Sequence, residues 1–198
     1  MAPWFNTQGI TYAVLKYRMP NGHHEVPLSD AEQAIRMVRE HAAEWGVNPQ
    51  RVGIMGASAG GHLAASLATL YSSDKTRPDF QILFYPVISM QKGVTHGGSR
   101  KNLIGENPSQ ELEQNTPSKG KCPHALRKLS SCFLRTMTRC RPSTASVTSL
   151  PCATIKYLPA CMPTHRGHGW GFRDNFTYKR QWTKNWRSGC VKGSYPGL

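Results

Sequence analysis

Gly56-Ala57-Ser58-Ala59-Gly60 is the stretch of this 198-residue chain whose residue types and spacing could do chemistry. It stands between a short apolar run, Arg51 to Gly56 (RVGIMG), and a helix-forming one, Ala59 to Leu70 (AGGHLAASLATL). A serine flanked by small residues in that context predicts a tight strand-to-helix turn that exposes its hydroxyl as a nucleophile for acyl transfer. The backbone N–H of Ala59, at the positive end of the following helix, is then placed to hold the oxyanion that develops on the attacked carbonyl. The structural alternative is a glycine-rich helix start that packs closely or binds phosphate. No lysine stands where a phosphate-binding loop would need one.

A serine needs a base and the base needs an acid, and in this strand–turn–helix arrangement the chain order is serine, acid, histidine. Downstream histidines are His96, His124, His165 and His168, while His62 belongs to the helix behind the serine. Spacing alone leaves these candidates open. For the acid the choice is narrower, because no Asp or Glu occurs between Glu113 and Asp174.

Several elements must position the serine. Ile10 to Tyr17 (ITYAVLKY) is β-branched and aromatic and predicts a strand. Pro20-Asn21-Gly22 breaks it, and Ser29-Asp30-Ala31-Glu32 fits a capping box. Ala31, Ile35, Val38, Ala42 and Trp45 then recur at helical spacing, predicting a helix over about 30–45 that Gly46 and Pro49 stop. Phe80 to Tyr85 (FQILFY) is nearly continuous apolar sequence, as in a parallel strand covered on both faces. The alternation predicts an α/β fold with 10–17, 51–56 and 80–86 as adjacent parallel strands and a helix over 59–71.

Composition splits the chain. Residues 1–113 balance ten Lys and Arg against ten Asp and Glu, so the whole +14 falls on residues 114–198, where Asp174 is the one acid. All six cysteines, from Cys122 to Cys190, lie in that second half. From Asn115 to Arg166 no helical or strand repeat is visible. Cys122-Pro123-His124 and cysteines eight to twelve apart lack the paired spacing of a zinc site. The basic residues are not interleaved with aromatics, as a nucleic-acid stacking platform requires. Without a signal peptide at the N-terminus, a disulfide framework is not expected either. No apolar run approaches the ~18–20 residues that span a bilayer.

Tyr17-Arg18-Met19-Pro20, Asn48-Pro49-Gln50-Arg51-Val52-Gly53, Gly56-Ala57-Ser58-Ala59-Gly60-Gly61-His62-Leu63-Ala64 and Phe84-Tyr85-Pro86-Val87 together resemble bacterial α/β-hydrolases of the acetyl-xylan-esterase-like group. Leu103-Ile104-Gly105-Glu106-Asn107-Pro108 looks like a loop of that group, and Gly167-His168-Gly169-Trp170-Gly171-Phe172 like its catalytic-histidine segment. The resemblance covers residues 1–114 and 167–183. It implies a partial α/β-hydrolase fold, a parallel sheet with flanking helices, whose C-terminal half is poorly specified. It also implies a carboxylic-ester hydrolase for acetyl or other small acyl esters on carbohydrates, with Ser58 as nucleophile, His168 as base and Ala59 as oxyanion donor. No cofactor or metal is implied, and the expected partner is a small acyl ester or acylated saccharide, with no specific nucleic acid and no membrane. Oligomeric state stays open. So does location, although members of the group are often exported.

Departures from the group pattern carry their own expectations. A glycine-rich loop that precedes the strand at Ile10 in relatives is absent, so Met1 reads as an internal methionine. The acid of an Asp-Asp-x-x-Val-Pro-like segment is missing from its slot, leaving Glu106 and Asp174 as the acids near it, and neither matches. The spacing from Pro108 to His168 nevertheless resembles that of relatives. A coding frame lost near residue 115, regained near 167 and lost again near 184 accounts for these features together. Residues 1–114 then form the hydrolase core and 115–166 a basic Cys- and Ser-rich insert that is disordered or frame-shifted. Residues 167–183 carry the histidine segment and 184–198 an irregular tail. On that reading the chain is weakly active or inactive. A second function class is a non-catalytic basic binding protein on a degenerate hydrolase scaffold.

Overall fold

The computed structural model describes residues 1–115 except Tyr85, Ile88 and Val94, with backbone alone at 114–115 and 131–134. Its elements are α1 (Ala2–Asn6), α2 (Glu25–Glu40), β1 (Gly53–Ala57), α3 (Ala59–Leu70), β2 (Phe80–Phe84), α4 (Gly97–Ile104), α5 (Gln110–Asn115) and β3 (Ser131–Leu134). The strands form a parallel sheet in the order β1-β2-β3, with Gly53 opposite Phe80 and Ala57 opposite Phe84. Among the described residues β2 lies between β1 and β3 and four of its five residues are buried, whereas β1 is half-buried along its length. Cys132 of β3 stands opposite Ile82. That strand lies where the sequence shows no periodicity; its register comes from β2, a non-local partner that a local pattern does not reveal.

α3 carries the core. Ala64, Leu67 and Ala68 are fully buried, and Leu63 and Leu67 pack with Ala31 and Ile35 of α2 and with Val52. Complete burial of a leucine side chain such as that of Leu67 contributes roughly 2–3 kcal/mol. Behind α3, the Glu32 carboxylate accepts from the backbone N–H and hydroxyl of Ser72 and from Thr76. Arg39 donates to the carbonyls of Pro49, Asp74 and Lys75 and to the Asp79 carboxylate at 2.9 Å. Asp79 also accepts from the Val52 N–H at 2.8 Å. Both turns that flank β1 and β2 are thereby pinned to α2.

Two expectations are corrected. Ile10–Tyr17 is not a strand: it carries no ladder, and Val14 is 81% exposed. Tyr12 instead stacks on Phe5 of α1 with ring centroids 5.1 Å apart, and the Ile10 N–H donates to the Phe5 carbonyl. β propensity describes fit to a paired, half-buried surface, and without a neighbouring strand it has nothing to act on. The second correction concerns α2, which starts at Glu25 rather than near 30. Pro27 sits in its first turn, where a missing N–H costs little. Ser29 therefore lies inside the helix and donates to the Val26 carbonyl, Asp30 holds Arg18, and no capping box forms. The helix ends at Glu40, short of Trp45, and Gly46 adopts a left-handed φ of 62° beyond it.

Candidate active site

β1 runs out at Ala57 and α3 begins at Ala59, so Ser58 is the turn between them. Its backbone has φ 54° and ψ −120°, a conformation that costs an L-residue about 1–3 kcal/mol and persists only where its surroundings enforce it. Those surroundings are visible. The Ser58 N–H donates to the Phe84 carbonyl at 3.0 Å, tying the turn to the end of β2. The Ser58 carbonyl accepts from the N–H groups of His62 and Val87, each at 3.1 Å. The side chain is half-buried, and Ala59 beside it is exposed.

Close approach of strand and helix explains two of the glycines. A Cβ on Gly56 would lie 2.0 Å from the Gly60 carbonyl oxygen, and one on Gly61 would lie 2.9 Å from Cβ of Pro86. Gly60, although part of the motif, would meet nothing within 4 Å. Motif spacing alone does not distinguish these positions. Ala59, as first residue of α3, has an N–H with no intrahelical acceptor, at the end of the helix where the dipole favours negative charge.

His62 is 4% exposed, and its Nδ1 lies 2.8 Å from the Val87 carbonyl. A carbonyl only accepts, so Nδ1 carries the proton. Burial opposes a charge on the ring and lowers its pKa to about 4, more than the Val87 hydrogen bond raises it. The sequence assigned His62 to the helix and nothing more. The signal that pointed inward was its spacing with Ala59, Leu63, Ser66 and Leu70, which share one helical face. All five line a cavity of about 230 Å³ bounded by α2, α3 and α4, to which Leu28, Met90 and Leu103 also contribute. Ser58 itself is not among the residues lining it.

Of the other candidates, Glu106 is exposed and forms an ion pair with Lys101, which holds its carboxyl below the usual carboxylate range. His96 caps α4: its Nδ1 accepts from the Ser99 N–H at 3.2 Å. His124, His165, His168 and Asp174 lie outside the described residues. Among the described residues no cluster of His, Cys, Asp or Glu could hold a metal ion, and no helix is long and apolar enough to cross a membrane.

A parallel sheet, a serine at the carboxyl end of a strand and a helix starting directly behind it are the strand–turn–helix arrangement of the α/β-hydrolase fold. The chain belongs to the family with the α/β-hydrolase fold, whose model matches residues 6–155. It is 50% identical over 103 residues to an acetylxylan esterase of Xylanibacter ruminicola, an alignment covering 52% of this chain and 21% of that protein. The chain thus spans about a fifth of the length of the curated relatives it matches. Among solved structures it is similar to an acetyl ester-xyloside bifunctional hydrolase from Caldicellulosiruptor lactoaceticus, with 29% identity and a TM-score of 0.75 over 94% of this chain and 74% of that one. It also resembles Thermogutta terrifontis esterase 2 in a form phosphoramylated by tabun, with 26% identity and a TM-score of 0.52 over 81% of this chain and 61% of that one.

Proposed function

We propose that this chain is a serine hydrolase for carboxylic esters, acting on acetyl or other small acyl groups carried by a saccharide. The observation that carries the reading is the left-handed backbone of Ser58, held at the junction of β1 and α3 by hydrogen bonds to Phe84, His62 and Val87. Strain of this kind collects at functional sites, where it presents a reacting group. The names of the acetylxylan esterase and the acetyl ester-xyloside hydrolase support the acyl group and the saccharide.

In the proposed reaction Ser58 Oγ attacks the ester carbonyl carbon as His168 takes its proton. The oxyanion is held by the Ala59 N–H, and the C–O bond to the alcohol breaks as His168 returns the proton to it. Water then attacks the acyl-serine by the same route and releases the acid. His168 has no carboxylate in the position the family uses, because no acid stands between Glu113 and Asp174. Loss of that partner costs on the order of 10⁴ in rate. Turnover by this chain is therefore slow.

The test is a fluorophosphonate probe followed by peptide mass analysis. The adduct is expected on Ser58, to form slowly, and to be absent in Ser58→Ala, while p-nitrophenyl acetate hydrolysis stays near background. Replacing 135–166, which leaves β3 in place, with an acid-bearing segment should raise hydrolysis by about 10³–10⁴-fold. An adduct that survives Ser58→Ala overturns the nucleophile. A replaced chain that is inactive on every acyl ester overturns the function, and rapid hydrolysis by the chain as it stands overturns the missing-acid argument.

A further inference from the structure

His62 is a buried histidine that the proposed reaction does not use, and its contacts converge on Ser58. The Pro86–Val87 segment beyond β2 lies against the start of α3, so close that a Cβ on Gly61 would stand 3.0 Å from Cα of Pro86. Val87 accepts from the His62 ring through its carbonyl at 2.8 Å and donates through its N–H to the Ser58 carbonyl at 3.1 Å. The backbone N–H of His62 donates to the same Ser58 carbonyl at 3.1 Å. Three hydrogen bonds thus close a ring through Ser58, Val87 and His62. The last is an ordinary helical bond that any residue would make; the first depends on the side chain.

We propose that His62 is a positioning residue for acyl transfer at Ser58: its ring fixes Val87, and Val87 together with the first turn of α3 holds the serine in its left-handed conformation. This rests on the reading of Ser58 as nucleophile. Three features suit the ring to the task. It is almost fully buried, so water does not compete for the Val87 carbonyl. It stays neutral, so Nδ1–H remains the donor while Nε2 meets no partner among the described residues. Its reach from α3 matches the 2.8 Å contact, so a side chain one bond longer would push the Val87 carbonyl away. A displacement of about 1 Å in a reacting group can cost about 10²-fold in rate.

The experiment compares His62→Asn with His62→Gln in the 198-residue chain, because both offer an amide donor but only asparagine places it near the position of Nδ1. With the fluorophosphonate probe, used below each variant's melting temperature, His62→Gln should label Ser58 about 10- to 100-fold more slowly, and His62→Asn within about threefold of the unsubstituted chain. Across probe concentrations the loss in His62→Gln should fall on the limiting labelling rate and leave the half-saturating probe concentration unchanged. A merely structural role would lower the melting temperature of both variants and leave the rates alike. Equal labelling of the two variants, or a loss confined to the half-saturating probe concentration, overturns the proposal. Should His62→Gln not fold, Val87→Pro, which deletes the N–H donated to Ser58, must show the same loss. Failure of the esterase reading looks different, since the unsubstituted chain would then carry no adduct on Ser58. In that case amide exchange at Val87 decides the ring itself: exchange faster in His62→Gln than in His62→Asn supports it, and equal exchange overturns it.

Discussion

Acid should destabilise this protein through His62, well above the pH at which carboxylates protonate. The folded ring has a pKa near 4, lowered from 6.5 first by burial and then by the charge of His24, with the Val87 bond opposing. The unfolded chain protonates this histidine near 6.5 while the folded chain does not until about 4. Between those values the unfolded state binds more protons, so stability is complete above pH 6.5 and is lost as pH falls toward 4. At about 1.36 kcal/mol per pKa unit, the full difference is roughly 3 kcal/mol, of which about 2 kcal/mol is lost by pH 5. Against a typical domain stability of about 5–15 kcal/mol that is a large share. Urea unfolding at several pH values between 7.5 and 5, for the unsubstituted chain and for His62→Asn, measures it. The two curves should converge by about 2 kcal/mol over that range, because asparagine does not titrate. Parallel curves, or a His62 ring resonance titrating near pH 6.5, would refute the argument.

Three further outcomes are expected. Gly56→Ala drives a Cβ to 2.0 Å from the Gly60 carbonyl oxygen and should cost about 1–3 kcal/mol or more by thermal unfolding. Gly60→Ala, with nothing within 4 Å, should be neutral or raise stability by about 0.5–1 kcal/mol; equal costs would contradict the packing. Ser58→Gly relieves the φ of 54° and should raise the melting temperature by about 2–4 °C while abolishing probe labelling; a lower melting temperature would show that the serine is not strained. Asp79→Ala strips the carboxylate from Arg39 and from the Val52 N–H and should cost about 2–4 kcal/mol in urea, with Asp79→Asn costing less because one acceptor survives.

The strand–turn–helix around Ser58 was legible in the sequence because its determinants are local. An apolar run, a serine among small residues and an Ala- and Leu-rich stretch each act within a few positions, and the structure has β1, Ser58 and α3 where that order predicts them. β2 was legible too, since a strand buried on both faces shows in its own composition. Tertiary contacts decided the rest. Ile10–Tyr17 has the residues of a strand but no ladder, because strand character is realised only against a neighbour. Ser29 and Glu32 have the spacing of a cap, yet Pro27 moves the helix start upstream and Glu32 turns to Ser72 and Thr76, forty and more residues away in sequence. The same holds at the site. Spacing marks Gly56 and Gly60 alike, and only the approach of α3 to β1 makes Gly56 indispensable and Gly60 free. His62 reads as one more residue of a helix until the chain beyond β2 returns to place the Val87 carbonyl 2.8 Å from its ring. A sequence specifies such a contact only through the whole fold, since its partners lie 25 residues apart and meet through burial rather than through any pattern of their own.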